Sequence, residues 1–520
     1  MSSNPKAHFQ RTKELAQALT KSEIYDWLVT KGYFPEAYVL PPCFKVTKHP
    51  KFGTLYFPVK CKKGKTQLNP ETSEFQQVHF PKTDLTDRTF GIINPKIHSD
   101  IAFTVAKNWD DVINCIFHEE NQVYSYSFPI PLDNKKLGQI GGLRSGRMIY
   151  EWIEMAENDV ASIAFQYKYL IKTDIKNFYP SIYTHSIPWA LHGKDFIKNE
   201  KDENNKPNRN NYNLIGNCLD KLFQNVNDGC TNGIPIGPAV SDIISEVVLS
   251  GVDIKLSQSL NDAGIINDVA IVRFKDDYRI LAKKESSGRS TIKFLQSALK
   301  EYKLELHDGK TEIYSLPNGL FRNWRSEYYN INPETKKNYD FEGFKEVYLL
   351  VIRIDKNNPG YGVIDRFLAD LVNQKDYSVC VKLDTRSLPK AISLLLMFAD
   401  LRIKAFPKIL GIIESILRSE FGAKHTDPIV EHLEDFLQEL IQREMENSYL
   451  ISWIIYFIRS NNLEGKMKKS YNFSNEIVKA VHKDVFSPFS DCSDFKIFSD
   501  IDTVAKQVTL LQHLDVFNPQ

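Results

Sequence analysis

Apolar and polar positions follow two different rhythms along this chain. From about residue 165 to 315, short apolar runs with strand character alternate with stretches of helical spacing, the pattern of an α+β domain. Tyr169-Leu-Ile-Lys-Thr-Asp-Ile175 reads as one apolar strand. Ala270-Ile-Val-Arg-Phe-Lys-Asp-Asp-Tyr-Arg-Ile-Leu-Ala282 reads as two short strands joined by a tight turn at its acidic pair. Between them, Gly233-Ile-Pro-Ile-Gly-Pro238 predicts a rigid turn leading into a helix from Ala239 to about Leu249. Alternation from Gln122 to Pro131 predicts a further strand, followed by Gly141-Gly-Leu-Arg-Ser-Gly-Arg147 and a helix. After about 340 the spacing turns helical. Thr426-Asp-Pro428 supplies an N-cap and a first-turn proline, and Leu433, Phe436, Leu437, Leu440 and Ile441 follow on one face. Similar amphipathic pieces cover Ile392–Phe406, Lys408–Ser419, Tyr449–Arg459 and Asp500–Leu514. Toward the N-terminus, Glu14–Thr30 predicts one helix with Leu15, Leu19, Ile24 and Leu28 near helical spacing. Gly32-Tyr-Phe-Pro-Glu36 and Leu40-Pro-Pro-Cys-Phe44 must then be non-helical. The polar stretch Lys194–Asn211 predicts a mobile loop, and Lys60-Cys-Lys-Lys-Gly-Lys65 a solvated basic one.

Composition narrows this only modestly. The chain has 520 residues, enough for two to four domains, with 42% hydrophobic and 25% charged residues, as in ordinary globular proteins. A net charge of +1 leaves nucleic-acid binding open, because a phosphate-binding groove needs only local charge segregation. Seven cysteines without a C-x-x-C pair argue against a zinc module or a disulfide framework and fit a reducing compartment. Met1–Phe9 has no signal-peptide core, and the apolar runs Ser393–Ala399 and Leu450–Ile458 fall short of the ~20 residues that span a bilayer, so a cytoplasmic location is expected.

Candidate chemistry changes the picture more. Asp276 and Asp277, adjacent at a turn, repel each other and lose solvation when partly buried, so a fold keeps them cheaply where cations gather. Asp174 adds a third carboxylate at the end of the 169–175 strand. Three carboxylates on neighbouring strand ends suit a two-Mg²⁺ phosphoryl-transfer site with ions roughly 3.5–4 Å apart, Mn²⁺ being the alternative ion. The substrate class this implies is nucleotides. His185 and His192, with no cysteine pair nearby, suit packing or hydrogen bonding rather than metal ligation. Glu246 and Ser241 are expected to support their helix.

Four segments occur in a fixed order: Asp174-Ile-Lys-Asn-Phe-Tyr-Pro-Ser-Ile182, Gly233-Ile-Pro-Ile-Gly-Pro238, Phe274-Lys-Asp-Asp277 and Leu306-His-Asp-Gly-Lys-Thr-Glu-Ile313. This order resembles palm motifs A to D of reverse transcriptases, whose third motif is usually Tyr-x-Asp-Asp, and the resemblance covers about 115–320. Tyr179-Pro-Ser-Ile-Tyr-Thr-His-Ser-Ile-Pro-Trp-Ala-Leu-His-Gly-Lys194, with Gly32–Glu36 and Pro41-Pro42, is similar to the abortive-infection and defence-associated reverse transcriptases of bacteria. That resemblance implies a fingers/palm domain followed by an all-α, HEAT-like helical-repeat domain in place of a thumb. The divisions are 1–115 (N-terminal extension and part of the fingers), 116–325 (fingers and palm) and 326–520 (helical region).

The same resemblance assigns roles. Asp174, Asp276 and Asp277, with the Ile175 carbonyl, would hold the ions. Tyr179, beside Phe178, would lie under the sugar and exclude a 2′ hydroxyl, favouring dNTPs. Gly233, Pro235 and Gly237 would let backbone approach the nucleotide. Lys310 would protonate or neutralise the departing pyrophosphate, and Arg144 and Arg147 would grip the triphosphate. As an alternative, Lys310 is a plain surface lysine and the two arginines decorate a loop. Ile236 stands where templated enzymes usually carry glutamine, and Lys275 replaces a small residue, bringing positive charge near the primer terminus. No Val-Thr-Gly signature, maturase segment or Cys-rich endonuclease follows. These departures fit the defence group, whose members include untemplated, protein-primed polymerases and homo-oligomers. The expected product is single-stranded DNA. The rival readings are copying of a dedicated non-coding RNA, and an inactive palm serving as a binding scaffold.

Overall fold

The structure is a computed structural model that describes residues 4–62, 64–83, 86–129, 156–202, 205–332, 338–373, 375–489 and 492–514. The N-terminal prediction of one helix resolves into two, α1 (Pro5–Gln17) and α2 (Lys21–Val29). Thr20 makes the break: its hydroxyl accepts from the Glu23 amide while the Glu23 carboxylate accepts from the Thr20 amide, a reciprocal cap that starts a new helix. Two hairpins follow, β1 (Lys60–Lys62) with β2 (Lys65–Gln67), and β3 (Gln76–Thr83) with β4 (Thr86–Ile92). Helices α3 (Pro95–Lys107) and α4 (Trp109–Ile116) lead to the strand β5 (Val123–Ser125), shorter than the strand expected over 122–131, since residues 126–129 leave the extended ladder. The predicted Gly141–Arg147 segment, with Arg144 and Arg147, lies outside the described residues, and a helical segment α5 resumes over 156–164.

The central sheet has strand order β5-β7-β8-β6-β9, with β6 (Tyr169–Asp174), β7 (Val269–Phe274), β8 (Asp277–Ala282) and β9 (Glu312–Ser315). All pairings are antiparallel except β5 with β7. Connecting helices are α6 (Phe178–Ser181), α7 (Ser186–His192), α8 (Lys194–Lys198), α9 (Ile215–Val226), α10 (Ala239–Asp262) and α11 (Glu285–Glu301). One face of the sheet packs on α10 and α11, and Gly288 of α11 lies directly against Ile171. On the other face Leu170, Val272 and Leu281 form a smaller core with Tyr126, Ala156, Val160 and Leu320. Helix α10 continues well past the predicted Leu249, because Val252, Leu256 and Leu260 extend its buried face; Gly251 makes room there for the Tyr302 hydroxyl.

The predicted mobile loop at 194–211 is instead partly built. It holds α8 and a 3₁₀ turn at Asn208–Asn210. Asn208 is buried; its amide donates to the Phe196 carbonyl (3.0 Å), and Asn217 donates to the carbonyls of Asn208 and Asn211 (2.8 Å each). Side-chain amides satisfy this backbone where a hydrophobic count sees only polarity.

Beyond β9 come α12 (Trp324–Ile331), α13 (Phe341–Asn357), α14 (Val363–Asp370), α15 (Leu388–Leu401), α16 (Phe406–Arg418), α17 (Glu420–Lys424), α18 (Thr426–Ile441), α19 (Glu444–Ser460), α20 (Glu476–Lys483), α21 (Ile501–Gln507) and α22 (Leu510–His513). The cap of α18 is His425, one residue before the predicted Thr426. The helix expected over 500–514 divides at Thr509, whose hydroxyl and Gln512 form another reciprocal cap. These helices fold back onto the N-terminal segments. Tyr449 donates to the Tyr38 carbonyl (2.7 Å), Tyr56 donates to Asp494 (2.6 Å), and the Phe44 and Phe498 rings meet at 5.2 Å. One continuous core therefore joins residues 9–44 to 449–514. No helix among the described residues is long and apolar enough to cross a membrane.

Candidate active site

The hairpin β7–β8 forms where apolar and β-branched residues flank the acidic pair, but its turn is Lys275-Asp276, one residue before the expected Asp276-Asp277, so that Asp277 opens β8 and takes part in the ladder. Lys275 adopts a left-handed φ of 51°. Register then brings the acids together: Asp174, last in β6, pairs directly with Asp277, first in β8, and the Ile175 amide donates to the Asp276 carbonyl (3.3 Å). The fourth motif joins through backbone too, since the His307 amide donates to the Asp174 carbonyl (2.7 Å). The adjoining 3₁₀ turn Asp308–Lys310 delivers the Lys310 ammonium onto Asp174 Oδ2. The structure thus unites Asp174, Asp276, Asp277 and Lys310, four residues drawn from three separated stretches.

The electrostatics are those of an unmet demand for positive charge. Burial, then repulsion from Asp277 and Asp174, pushes the Asp276 carboxyl up to about 7. Asp277 is exposed at the start of β8, yet crowding by the surrounding protein and Asp174 push it up to about 6 against the pull of Arg279, Lys310 and Lys172. Asp174 in turn holds the Lys310 ammonium above its ordinary range, by hydrogen bond first. Asp174 Oδ1 is buried without a hydrogen-bond partner among the described residues. Carboxylate oxygens only, one of them orphaned, form a donor set that fits a hard divalent cation. Among the described residues, however, no three acidic, histidine or cysteine side chains are grouped so as to hold a metal ion, and Lys310 holds a cation's place on Asp174.

Behind the turn lies a second charged group. Asp242, Glu246 and Asp253 recur at i, i+4 and i+11 on α10, a stripe of buried acids. Arg273 of β7 reaches them from the sheet. It donates to both Glu246 oxygens (3.1 Å each) and to Asp253 (3.0 Å), and Tyr278 donates to Asp253 (2.7 Å). The group also grips the turn that carries the acidic pair. Arg273 donates to the Lys275 carbonyl (3.2 Å), and the Lys275 amide donates to Ser127 Oγ (2.7 Å), which itself donates to Glu246 (2.6 Å). Glu246 therefore does more than support its helix. None of Asp242, Asp253, Arg273, Ser127 or Tyr278 was expected from sequence as a site residue. The helical stripe and an arginine inside an apolar strand were the available signals.

Phe178 and Tyr179 are buried with ring centroids 5.2 Å apart, and the Tyr179 hydroxyl donates to Asp242. The Gly233–Pro238 segment makes close approaches, but those seen here are to the protein itself. At Gly233 (φ 87°) a Cβ would lie 3.2 Å from the Pro180 carbonyl oxygen, and at Gly237 (φ 121°) 2.6 Å from Pro35. Pro235 packs on Gly91, and the Ala239 amide donates to the Gly32 carbonyl (2.7 Å). Lys275, expected to offer charge to a primer end, directs its ammonium to Asp242 (3.4 Å). His185 bonds Asp220 (2.6 Å) and His192 accepts from the Gly216 amide (3.0 Å), hydrogen-bonding roles as expected.

Residues 136–345, which contain all four motifs, match the family model of the reverse transcriptase (RNA-dependent DNA polymerase). A reverse transcriptase domain is present. Among curated proteins, none matches the chain. Solved structures similar to it include apo telomerase of Candida tropicalis (14% identity over 86% of this chain and 71% of that one, TM-score 0.31). A form of that protein truncated from its C-terminal domain also matches (13%, 48% and 52%, TM-score 0.30). A third is telomerase of Candida albicans in complex with a TWJ fragment of telomeric RNA (12%, 74% and 66%, TM-score 0.28). The chain spans about half the length of the truncated form. Scores at this level carry no argument about this chain. The family that this domain matches is one of RNA-dependent DNA polymerases.

Proposed function

We propose that the protein is a reverse-transcriptase-type DNA polymerase that extends a 3′ hydroxyl with dNTPs and acts in anti-phage defence. The observation that carries the polymerase reading is the cross-strand pairing of Asp174 with Asp277 beside Asp276, inside a reverse transcriptase domain. Asp174, Asp276 and Asp277, with the Ile175 carbonyl, would hold two Mg²⁺ (or Mn²⁺). When bound, the ions supply Lewis-acid activation of the attacking hydroxyl and neutralise charge on the leaving pyrophosphate. Lys310, at the rim of the acids, offers a proton or a charge to that pyrophosphate. Tyr179 underlies the sugar, with Phe178 buttressing it and Gly233, Pro235 and Gly237 fixing the wall behind. Arg144 and Arg147 are assigned to the triphosphate.

The finer reading is untemplated, protein-primed synthesis of single-stranded DNA by a homo-oligomer in which the region after 326 replaces a thumb. It rests on the resemblance to defence enzymes and on Ile236. That residue packs partly buried against the core, and its hydrocarbon side chain has no amide to offer a template. Incubation with single dNTPs and Mg²⁺, with and without a primer-template, tests it. DNA covalently attached to the protein is the expected product, and strict dependence on an added primer-template would reject untemplated synthesis. Structured RNA carried through purification would instead favour copying of a dedicated RNA.

A further inference from the structure

Tyr179 is held at both of its ends. Its carbonyl accepts from the Ile234 amide (3.1 Å), and its hydroxyl donates to Asp242 Oδ1. Asp242 is 3% exposed, sits in the first turn of α10, where the helix dipole favours a negative charge, and accepts from the Lys275 ammonium through its other oxygen. That ammonium also lies over the Tyr179 ring, 5.8 Å from its centroid. Lys275 directly precedes Asp276 in the catalytic turn. One buried carboxylate thus ties the aromatic wall to the turn that carries the acids.

We infer that Asp242 is a specificity-determining positioning residue: it locks Tyr179 so that the ring rejects a ribose 2′ hydroxyl. The inference rests on the proposed polymerase function and on Tyr179 facing the sugar. Its physical basis is that steric exclusion is only as strong as the wall is stiff. A tyrosine ring has two side-chain torsions, and a ring free to turn relieves a clash by rotating between rotamers. A charge-assisted hydrogen bond from its hydroxyl, about twice as strong as a neutral one, opposes that rotation. Ring size alone would survive loss of the hydroxyl; stiffness would not.

The test measures kcat/KM for a dNTP and for the matching NTP and takes their ratio in four proteins: wild type, Asp242→Ala, Tyr179→Phe and the double variant. Tyr179→Phe keeps the ring and removes the tether. The expected ratio falls roughly tenfold in each single variant, the worth of one hydrogen bond to a charged group. The double variant should fall no further, because both changes cut the same link. Asp242→Asn, which keeps an acceptor, should retain part of the discrimination. Equal losses for dNTP and NTP in Asp242→Ala, with the ratio unchanged, would reduce Asp242 to a structural role and overturn the inference alone. An additive double variant would also overturn it. A wild-type protein that adds neither nucleotide would overturn the polymerase function and the inference together.

Discussion

Two acidic groups lie on either side of the same β-turn, and they differ in whether an arginine bridges them. Behind the turn, Glu246 and Asp253 are buried, yet Arg273 reaches both. Burial alone would push Glu246 up, but Arg273 with the Ser127 and Ser125 hydroxyls holds it below its ordinary range, whereas at Asp253 burial outweighs Arg273 and pushes the carboxyl up to about 6. In front, Asp174, Asp276 and Asp277 crowd together, with Lys310 paired to Asp174; Asp276 and Asp277 are pushed up and Asp174 keeps an orphaned oxygen. The protein supplies an arginine to the buried acids behind the turn and leaves the demand for positive charge largely open at the acids in front.

The sharpest way to break this comparison is to remove the front group. Asp276→Ala with Asp277→Ala should lower dNTP incorporation by at least roughly 10³-fold, while the metal-free protein melts at the same or a higher temperature. Retained incorporation would show that the acids in front are not the reactive ones. Next in size is Arg273→Met, which strands two buried carboxylates. Chemical denaturation should show a loss of roughly 3–5 kcal/mol. A loss below ~1 kcal/mol would mean that Glu246 and Asp253 are not held by the arginine.

A smaller effect depends on pH. A carboxyl raised in the folded state, as Asp276 is from 3.8 to about 7, costs no stability below its unfolded value and its full cost above its folded one. In EDTA, Asp276→Asn should therefore match wild type near pH 4 and gain roughly 1–2 kcal/mol by pH 8. A gain that grows toward low pH instead would reverse the sign of the interaction. The smallest effect is Ser127→Ala, which leaves the Lys275 amide without its acceptor and should cost about 1 kcal/mol in the same denaturation assay.

Much of the front group was legible in the chain. Strand-like flanks around Asp276-Asp277 and the apolar run ending at Asp174 fix where those carboxylates sit, because register in a short antiparallel pair follows from the turn. Lys310 followed from its place in a turn after the third motif. The rear group was not read, because Arg273 looks like one charge in a strand until α10 is laid across the sheet. Helix ends at Thr20 and Thr509 were missed for a local reason: a capping residue inside an amphipathic run outweighs the hydrophobic period. The return of α19 and the 492–514 segment onto residues 33–56 was also invisible. Apolar faces declare that they need partners without saying which.

If the crowded acids are tolerated because divalent ions answer them, a thermal melt of wild type and Asp276→Ala/Asp277→Ala across a Mg²⁺ titration from EDTA upward will show it. Wild type should gain melting temperature with Mg²⁺, while the double variant starts at least as high and gains nothing. The same Mg²⁺-dependent rise in both proteins, or none in wild type, would contradict it.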